Sequence, residues 1–236
     1  MNILITNDDG IDSPGMQKLA AAARKFGQVW VVGPDGQRSA MSHSYSWRQE
    51  VRAWKCTYPV DRVTAYACSG TPADCVRVGA LSLTPGKPDL VLAGINAGYN
   101  IARDIQYSAT LGAVFEASEL GIPAIAFSQG DVAYQDVIDQ NLTAILQKLI
   151  NNPLPQGQVW NVNFPCCDSK TCKGIRWNCT VSTDPFYSDS YTAEEQEDGS
   201  LLFHLNPGRD WTGSEGTDLA AVIDNCIAVG TVKNIS

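Results

Sequence analysis

Asp8 and Asp9 stand side by side just past an apolar run, Asn2 to Thr6, and a glycine follows them. Adjacent carboxylates repel each other unless positive charge lies between them, and the usual remedy is a hard divalent cation held by oxygen ligands. The same three residues also read as a plain turn, since Asp and Gly favour turns for backbone reasons. Further oxygen donors occur in two other places, Ser39 in the loop from Gly33 to Ala40, and Asn96 and Asn100 in the stretch GINAGYN from Gly94 to Asn100. Asp8, Asp9, Ser39 and Asn96 form a set that a divalent cation takes readily. The two carboxylates cancel its charge and leave room for an anionic ligand. Ser108 and Thr110 begin a helical pattern whose first N–H groups, with those hydroxyls, suit a phosphate.

Such donors meet only if the chain delivers them to one edge. Asn2 to Thr6 is rich in Ile and Leu without clean alternation, as expected of a strand buried on both faces of a parallel sheet. Asp8 and Asp9 then fall at a strand's carboxyl end, where open α/β sheets bind ligands. Ser13 as N-cap and Pro14 at the first helical position start a helix with Met16, Leu19, Ala20, Ala23 and Phe26 as its apolar stripe and Gly27 as its stop. Gln28 to Val32 completes a βαβ unit. Thr71 and Pro72 start a second helix. Leu90 to Asn96 reads as a strand, Ile105 to Gly121 as a helix, GIPAIAFS as a strand, Val137 to Ile150 as an amphipathic helix and VWNVNFP as a further strand. Residues 41–68 suggest an antiparallel excursion whose strands are not placed. The pattern predicts an α/β fold, a Rossmann-like and mostly parallel sheet with helices on both faces over residues 1–165. Residues 166–236 read as a C-terminal extension, antiparallel about the turn at Asp198-Gly199, with a final core element from Asp218.

Composition narrows the function classes. Of 236 residues, 44% are hydrophobic and 18% charged, which describes a globular chain, and the formal net charge of -8 disfavours a nucleic-acid polymer as partner. No apolar run approaches the roughly 20 residues of a membrane span, and the first residues lack a signal-like pattern, so a cytoplasmic protein without membrane association is expected. In that compartment the eight cysteines read as free thiols, and Cys166, Cys167, Cys172 and Cys179 cluster without the C-x-x-C spacing of a zinc site.

Several motifs now occur in one order: ILITNDDGIDSPG at 3 to 15, RSA at 38 to 40, SGTPADCV at 69 to 76, GINAGYN at 94 to 100, YSATLGAVFEA at 107 to 117, NVNFP at 161 to 165 and GTD at 216 to 218. In this series the sequence resembles the SurE (survival protein E) nucleotidases over nearly its whole length. The resemblance implies a phosphatase acting on nucleoside 5′- and 3′-monophosphates with one magnesium or manganese ion per subunit. Asp8, Asp9, Ser39 and Asn96 would hold the metal, with Asp8, Asp9 and Asn96 also catalytic. Ser108, Ala109, Thr110, Asn100, Ser69 and Gly70 would bind phosphate or substrate. It further implies a homodimer or homotetramer in which the C-terminal extension embraces a neighbour. Ala109 stands where the family usually has glycine, and an ordinary negative φ is expected there. DGQR at 35 to 38 lacks the Asn common before that Arg.

Other readings accompany this one. His43 and His204, the only histidines, read as satisfied side chains in place of general bases. Trp47, Trp54, Trp177 and Trp211 read as core or interface residues. A receiver-like signalling domain also places two acidic residues after its first strand, but it needs a third aspartate and a lysine that find no place here. A non-catalytic nucleotide- or phosphate-binding protein would use the same donors as the enzyme.

Overall fold

The structure, a computed structural model, describes residues 1–130 and 132–234. The chain runs β1 (Asn2–Thr6), α1 (Pro14–Ala23), β2 (Gln28–Pro34), β3 (Ala53–Cys56), β4 (Val63–Cys68) and α2 (Pro72–Val78), and a π-helical turn, Gly79–Leu83, follows. It continues through β5 (Leu90–Ala97), a 3-10 segment at Ala102–Tyr107, α3 (Ala109–Glu119), β6 (Ala124–Gln129), α4 (Asp136–Ile150) and β7 (Gln158–Phe164). The remaining elements are β8 (Ile175–Cys179), β9 (Ser190–Glu195), β10 (Leu201–Asn206), α5 (Asp218–Ile223) and β11 (Ile227–Lys233). Nine strands form one sheet in the order β3-β4-β2-β1-β5-β6-β7-β11-β8, and β9 pairs only with β10.

The central strand explains its own sequence. Ile3 and Ile5 of β1 belong to one apolar cluster, with residues of α1 and α4, while Leu4 belongs to the other, with residues of α2 and α3. Both faces of the sheet are covered, so Ile3, Leu4 and Ile5 are apolar in succession. Each such side chain, fully buried, contributes about 1.5–3 kcal/mol. The pairings of β1 with β2 and β5, of β2 with β4, and of β5 with β6 and β6 with β7 are all parallel. Their carboxyl ends therefore lie along one edge. That edge carries Asp8 after β1, Ser39 after β2 and Asn96 at the end of β5.

Several expected boundaries shift for physical reasons. α1 is capped by Ser13, whose Oγ accepts from Met16 N at 3.3 Å, but it ends at Ala23 with Arg24 in a right-handed C-cap. Gly27 is not its stop, because a Cβ there would lie 2.1 Å from the Met1 carbonyl oxygen and the position serves chain packing. The helix expected from Ile105 breaks at Ser108, which has φ -72° and ψ 121° and caps α3 through Leu111 N. Gly121, at φ +66°, ends that helix as expected. In the stretch 41–68, β3 runs antiparallel to β4, and β4 joins the edge of β2 in parallel.

Beyond Pro165 the chain does two things. β11 runs antiparallel to β7 and parallel to β8, so both strands extend the main sheet, and α5 precedes β11 in the region expected to return to the core. β8 escapes a periodicity reading because it is short and carries Arg176 and Asn178 among its five residues. β9 and β10 instead form a projecting hairpin, turned at Asp198-Gly199 with Gly199 at φ +81°, and all twelve of its strand residues are exposed. Among the described residues no helix is long and apolar enough to cross a membrane. All eight cysteines are free thiols.

Candidate active site

The acidic turn is built by Asn7, which sequence reading passes over. Its Nδ2 donates to the Gly10 carbonyl at 3.0 Å and to Ser13 Oγ at 2.6 Å, and its Oδ1 accepts from Gly10 N at 3.2 Å. Gly10 takes φ +107°, open to glycine and strained for other residues. Two backbone bonds tie this turn to the loop after β2: Ile11 N donates to the Pro34 carbonyl at 2.8 Å and Arg38 N to the Asp8 carbonyl at 2.7 Å. The Asp8 side chain is only 4% exposed, and Thr110 Oγ1 donates to its Oδ1 at 2.5 Å. Asp9 Oδ2 accepts from Ala97 N at 3.0 Å.

Burial pushes the Asp8 carboxyl up to about 6, against the pull of the Thr110 hydrogen bond, and the Asp9 charge adds to the rise. Burial also raises Asp9. Among the described residues neither carboxylate has an Arg, Lys or His partner. Two desolvated carboxylates without an ion-pair partner suit a bound cation, since its charge would remove the penalty each imposes on the other. Among the described residues no group of three or more His, Cys, Asp and Glu side chains could hold a metal. Such a site therefore rests on Asp8 and Asp9 with neutral oxygens completing the shell, a set that suits a hard ion.

Asp8, Ser39, Asn96, Asn100 and Ser108 line one cavity of about 860 Å³. Asn96 Nδ2 donates to the Gly98 carbonyl at 3.0 Å, and its Oδ1 makes no hydrogen bond among the described residues. Ser39 Oγ accepts from Gln37 Nε2 at 3.2 Å, leaving its proton available. Asp9 lines the adjoining cavity of about 870 Å³, together with Asp12, Lys18 and Asp35. Asp8 and Asp9 thus open to neighbouring hollows.

The residues expected around substrate divide. Ser108 lines the cavity as the cap of α3, and Ala109, fully buried, is the first residue of that helix. Ala109 is not one of the six non-glycine residues at positive φ among the described residues, which are Ala40, Ser42, Arg62, Ala102, Asn178 and Asn225. Thr110 is fully buried and spends its hydroxyl on Asp8, so it stands behind the carboxylate and does not line the cavity. Asn100 lines it but is clamped, with Nδ2 on Ser128 Oγ at 2.8 Å and its carbonyl accepting from Asn161 and Asn163 at 2.8 and 3.0 Å. Ser69 and Gly70 are not brought there. They follow β4, two strands from β1, where Ser69 bonds the backbone of Arg52 and Gly70 packs against Asp74. Their motif builds the capping box of α2, in which Thr71 Oγ1 accepts from Asp74 N and Asp74 Oδ2 from Thr71 N.

The loop that carries Ser39 is strapped to two helices. Thr71 Oγ1 donates to the Ser44 carbonyl at 2.7 Å, and Ser46 donates through N and Oγ to Asp74 at 2.9 and 2.8 Å. His43 Nε2 meets Glu116 Oε2 at 2.9 Å, and Arg77 reaches Glu116 Oε1 at 2.6 Å. Burial alone would raise Glu116, but the His43 and Arg77 hydrogen bonds prevail and hold it below the usual carboxylate range. Gly112 admits the loop, since a Cβ there would lie 2.2 Å from the Ser42 carbonyl oxygen. Both histidines are satisfied as expected, His204 by Glu194 at 2.9 Å. Trp47, by contrast, is 74% exposed and forms no part of the core.

Sequence reading also misses two residues that line the cavity, Arg103 and Asp104, and the buried contacts made by Asp218. Arg103 lines the cavity and enters no ion pair among the described residues. Asp104 accepts from Phe186 N at 2.6 Å and Tyr187 N at 2.9 Å. Asp218 accepts from Ala102 N and Ser182 N, each at 3.0 Å. The last two tie the C-terminal segment to the loop after β5. The only sequence signal of Asp104 is an acidic residue beside a motif, which is common in loops, whereas Asp218 lies in the GTD motif but its partners are set by tertiary packing.

Residues 3–185 match the family model described as Survival protein SurE. Over 230 residues the chain is 37% identical to the 5'/3'-nucleotidase SurE of Salmonella paratyphi A, spanning 97% of this chain and 88% of that protein. The protein of the same name from Salmonella typhimurium shows the same identity and coverage. The crystal structure of the SurE protein from Aquifex aeolicus matches with a TM-score of 0.82 at 32% identity, covering 100% of this chain and 95% of that one.

Proposed function

The chain belongs to the SurE family, and from that premise we propose that it is a metal-dependent phosphomonoesterase that hydrolyses nucleoside 5′- and 3′-monophosphates to nucleoside and phosphate. The relatives named 5'/3'-nucleotidase support the reaction class. The observation that carries it is Asp8, a buried carboxylate beside a second one, without a basic partner among the described residues, on the wall of a cavity reached by the start of α3.

Asp8, Asp9, Ser39 and Asn96 would hold one divalent cation, magnesium or manganese. When bound, it supplies polarisation of the phosphoryl oxygens and neutralisation of their charge. Thr110 keeps the Asp8 carboxylate in one orientation through its hydroxyl. The first N–H groups of α3, at Ala109 and Thr110, are those a helix leaves unpaired, and they offer donors and a partial positive charge to the phosphate. Arg103, which lines the same cavity, adds a full positive charge. Neither histidine lines the cavity, and Asp104 and Asp189 accept from backbone N–H groups. We therefore assign the attacking water's proton to the pair Asp8 and Asp9.

A homodimer or homotetramer is part of the proposal. Alternation along the hairpin puts Ala193, Leu201 and Phe203 on one face toward its turn, beyond Tyr191 and Leu205 at its base, and this exposed apolar end needs a covering partner. The function is tested by phosphate release from a panel of nucleoside monophosphates with and without a chelator. Release that depends on the cation is expected. Binding without release would favour the non-catalytic reading.

A further inference from the structure

The cavity walled by Asp8, Ser39 and Ser108 holds about 860 Å³, far more than a phosphoryl group fills. Two tyrosines, Tyr107 and Tyr191, line the remainder, and each is 66% exposed. Their neighbours Tyr99 and Tyr187 serve the fold, since Tyr99 Oη accepts from Cys166 N at 2.7 Å and Tyr187 Oη donates to the Tyr99 carbonyl at 3.3 Å. Tyr107 and Tyr191 have no hydroxyl hydrogen bond among the described residues. The only ring contact of either is the edge-on approach of Tyr191 to Phe203 at 6.4 Å.

Their positions are fixed from two sides. Tyr107 immediately precedes Ser108, the cap of α3. Tyr191 lies at the base of the hairpin opposite Leu205, which also lines the cavity. That base is held to the floor by Asp104 through Phe186 N and Tyr187 N, and by Asp210 N donating to the Phe186 carbonyl at 2.8 Å. The hairpin is thereby a wall of the site as well as a projection from it.

We propose that Tyr107 and Tyr191 form the nucleobase subsite, stacking their rings on the base of a nucleotide whose phosphate lies at the start of α3. This rests on the nucleotidase reading. Stacking tolerates every base, because every base has a π-face, so the subsite accepts purines and pyrimidines alike and favours nucleotides over monoesters without a base.

The test compares AMP with ribose 5-phosphate on the full chain with manganese, for the parent, Tyr107→Ala, Tyr191→Ala, the double variant and both Tyr→Phe variants. Calorimetric titration of AMP and ribose 5-phosphate runs alongside the kinetics, and light scattering monitors assembly. The double Ala variant should raise the KM for AMP about tenfold with kcat nearly constant, lowering the preference for AMP over ribose 5-phosphate by the same factor. The Phe variants should retain that preference. Equal losses on both ligands, or no loss on either, would overturn the subsite, and so would an altered assembly that accounts for the whole effect. If the parent releases no phosphate from either monoester, the hydrolase reading fails, while the titrations still decide the subsite.

Discussion

Burial and hydrogen bonding oppose each other at Asp8, and burial wins, raising the carboxyl from 3.8 to about 6. A carboxylate raised by folding contributes stability below its unfolded pKa, and that stability is lost as pH rises through the folded value. At about 1.4 kcal/mol per pH unit, the cation-free fold gives up about 3 kcal/mol between about pH 4 and pH 6. A bound cation relieves that cost only where Asp8 is ionised. The rise in Tm on adding manganese should therefore be large at about pH 7.5 and should shrink below about pH 6, as measured by thermal melts across pH. A cation-induced rise that stayed constant down to about pH 4 would contradict the role of Asp8. Ala109 gives a second prediction at this scale. With its φ negative, Ala109→Gly should cost about 1 kcal/mol of helix stability or less and change turnover little. A tenfold rise in kcat/KM would show strain that the backbone does not have. The positions of Asp8, Asp9, Ser39 and Asn96 past strand ends, and of Ser108 at the start of a helix, were legible because residue type and element pattern are both written in the sequence. The exchange of Thr110 from substrate to Asp8 was not, because a hydroxyl's partner depends on tertiary packing.

The elements hold these side chains by straps between loops and helices. Glu116 is the centre of one strap, joining His43 in the Ser39 loop to Arg77 on α2. Glu116→Gln keeps the shape but removes the charge that holds both donors. It should cost about 1–2 kcal/mol in denaturant unfolding and weaken manganese affinity by displacing Ser39, with KM for the metal rising more than kcat falls. Unchanged metal affinity in a destabilised variant would confine Glu116 to stability. Caps and apolar strands made most elements legible, as with Ser13-Pro14, Thr71-Pro72 and the run from Leu90. The stretch 41–68 was opaque because its two strands are short and partly exposed, and its loop is held by distant residues such as Asp74 and Glu116, which no local pattern reveals.

Across the whole molecule, the sheet sets one edge for chemistry and the C-terminal third supplies a wall and a projecting arm. The parallel core was legible from apolar strand runs, helix caps and their alternation along the chain. The insertion of β11 between β7 and β8 was not, since strand order depends on long-range pairing that sequence spacing does not encode. The hairpin's apolar face predicts assembly. Phe203→Asp should lower the mass in solution at micromolar concentration, read by light scattering, while the core keeps its fold. A parent chain that is already monomeric would remove the arm's proposed role. The central claim concerns cation-dependent hydrolysis at Asp8 and Asp9, and its most direct measurement is phosphate release from AMP by the full chain stripped with chelator and then given manganese. Activity should vanish on stripping and return with the metal, whereas Asp8→Asn or Asp9→Asn should remain mostly inactive at limiting metal. Full turnover in the stripped protein, or in both variants at limiting metal, would contradict the claim.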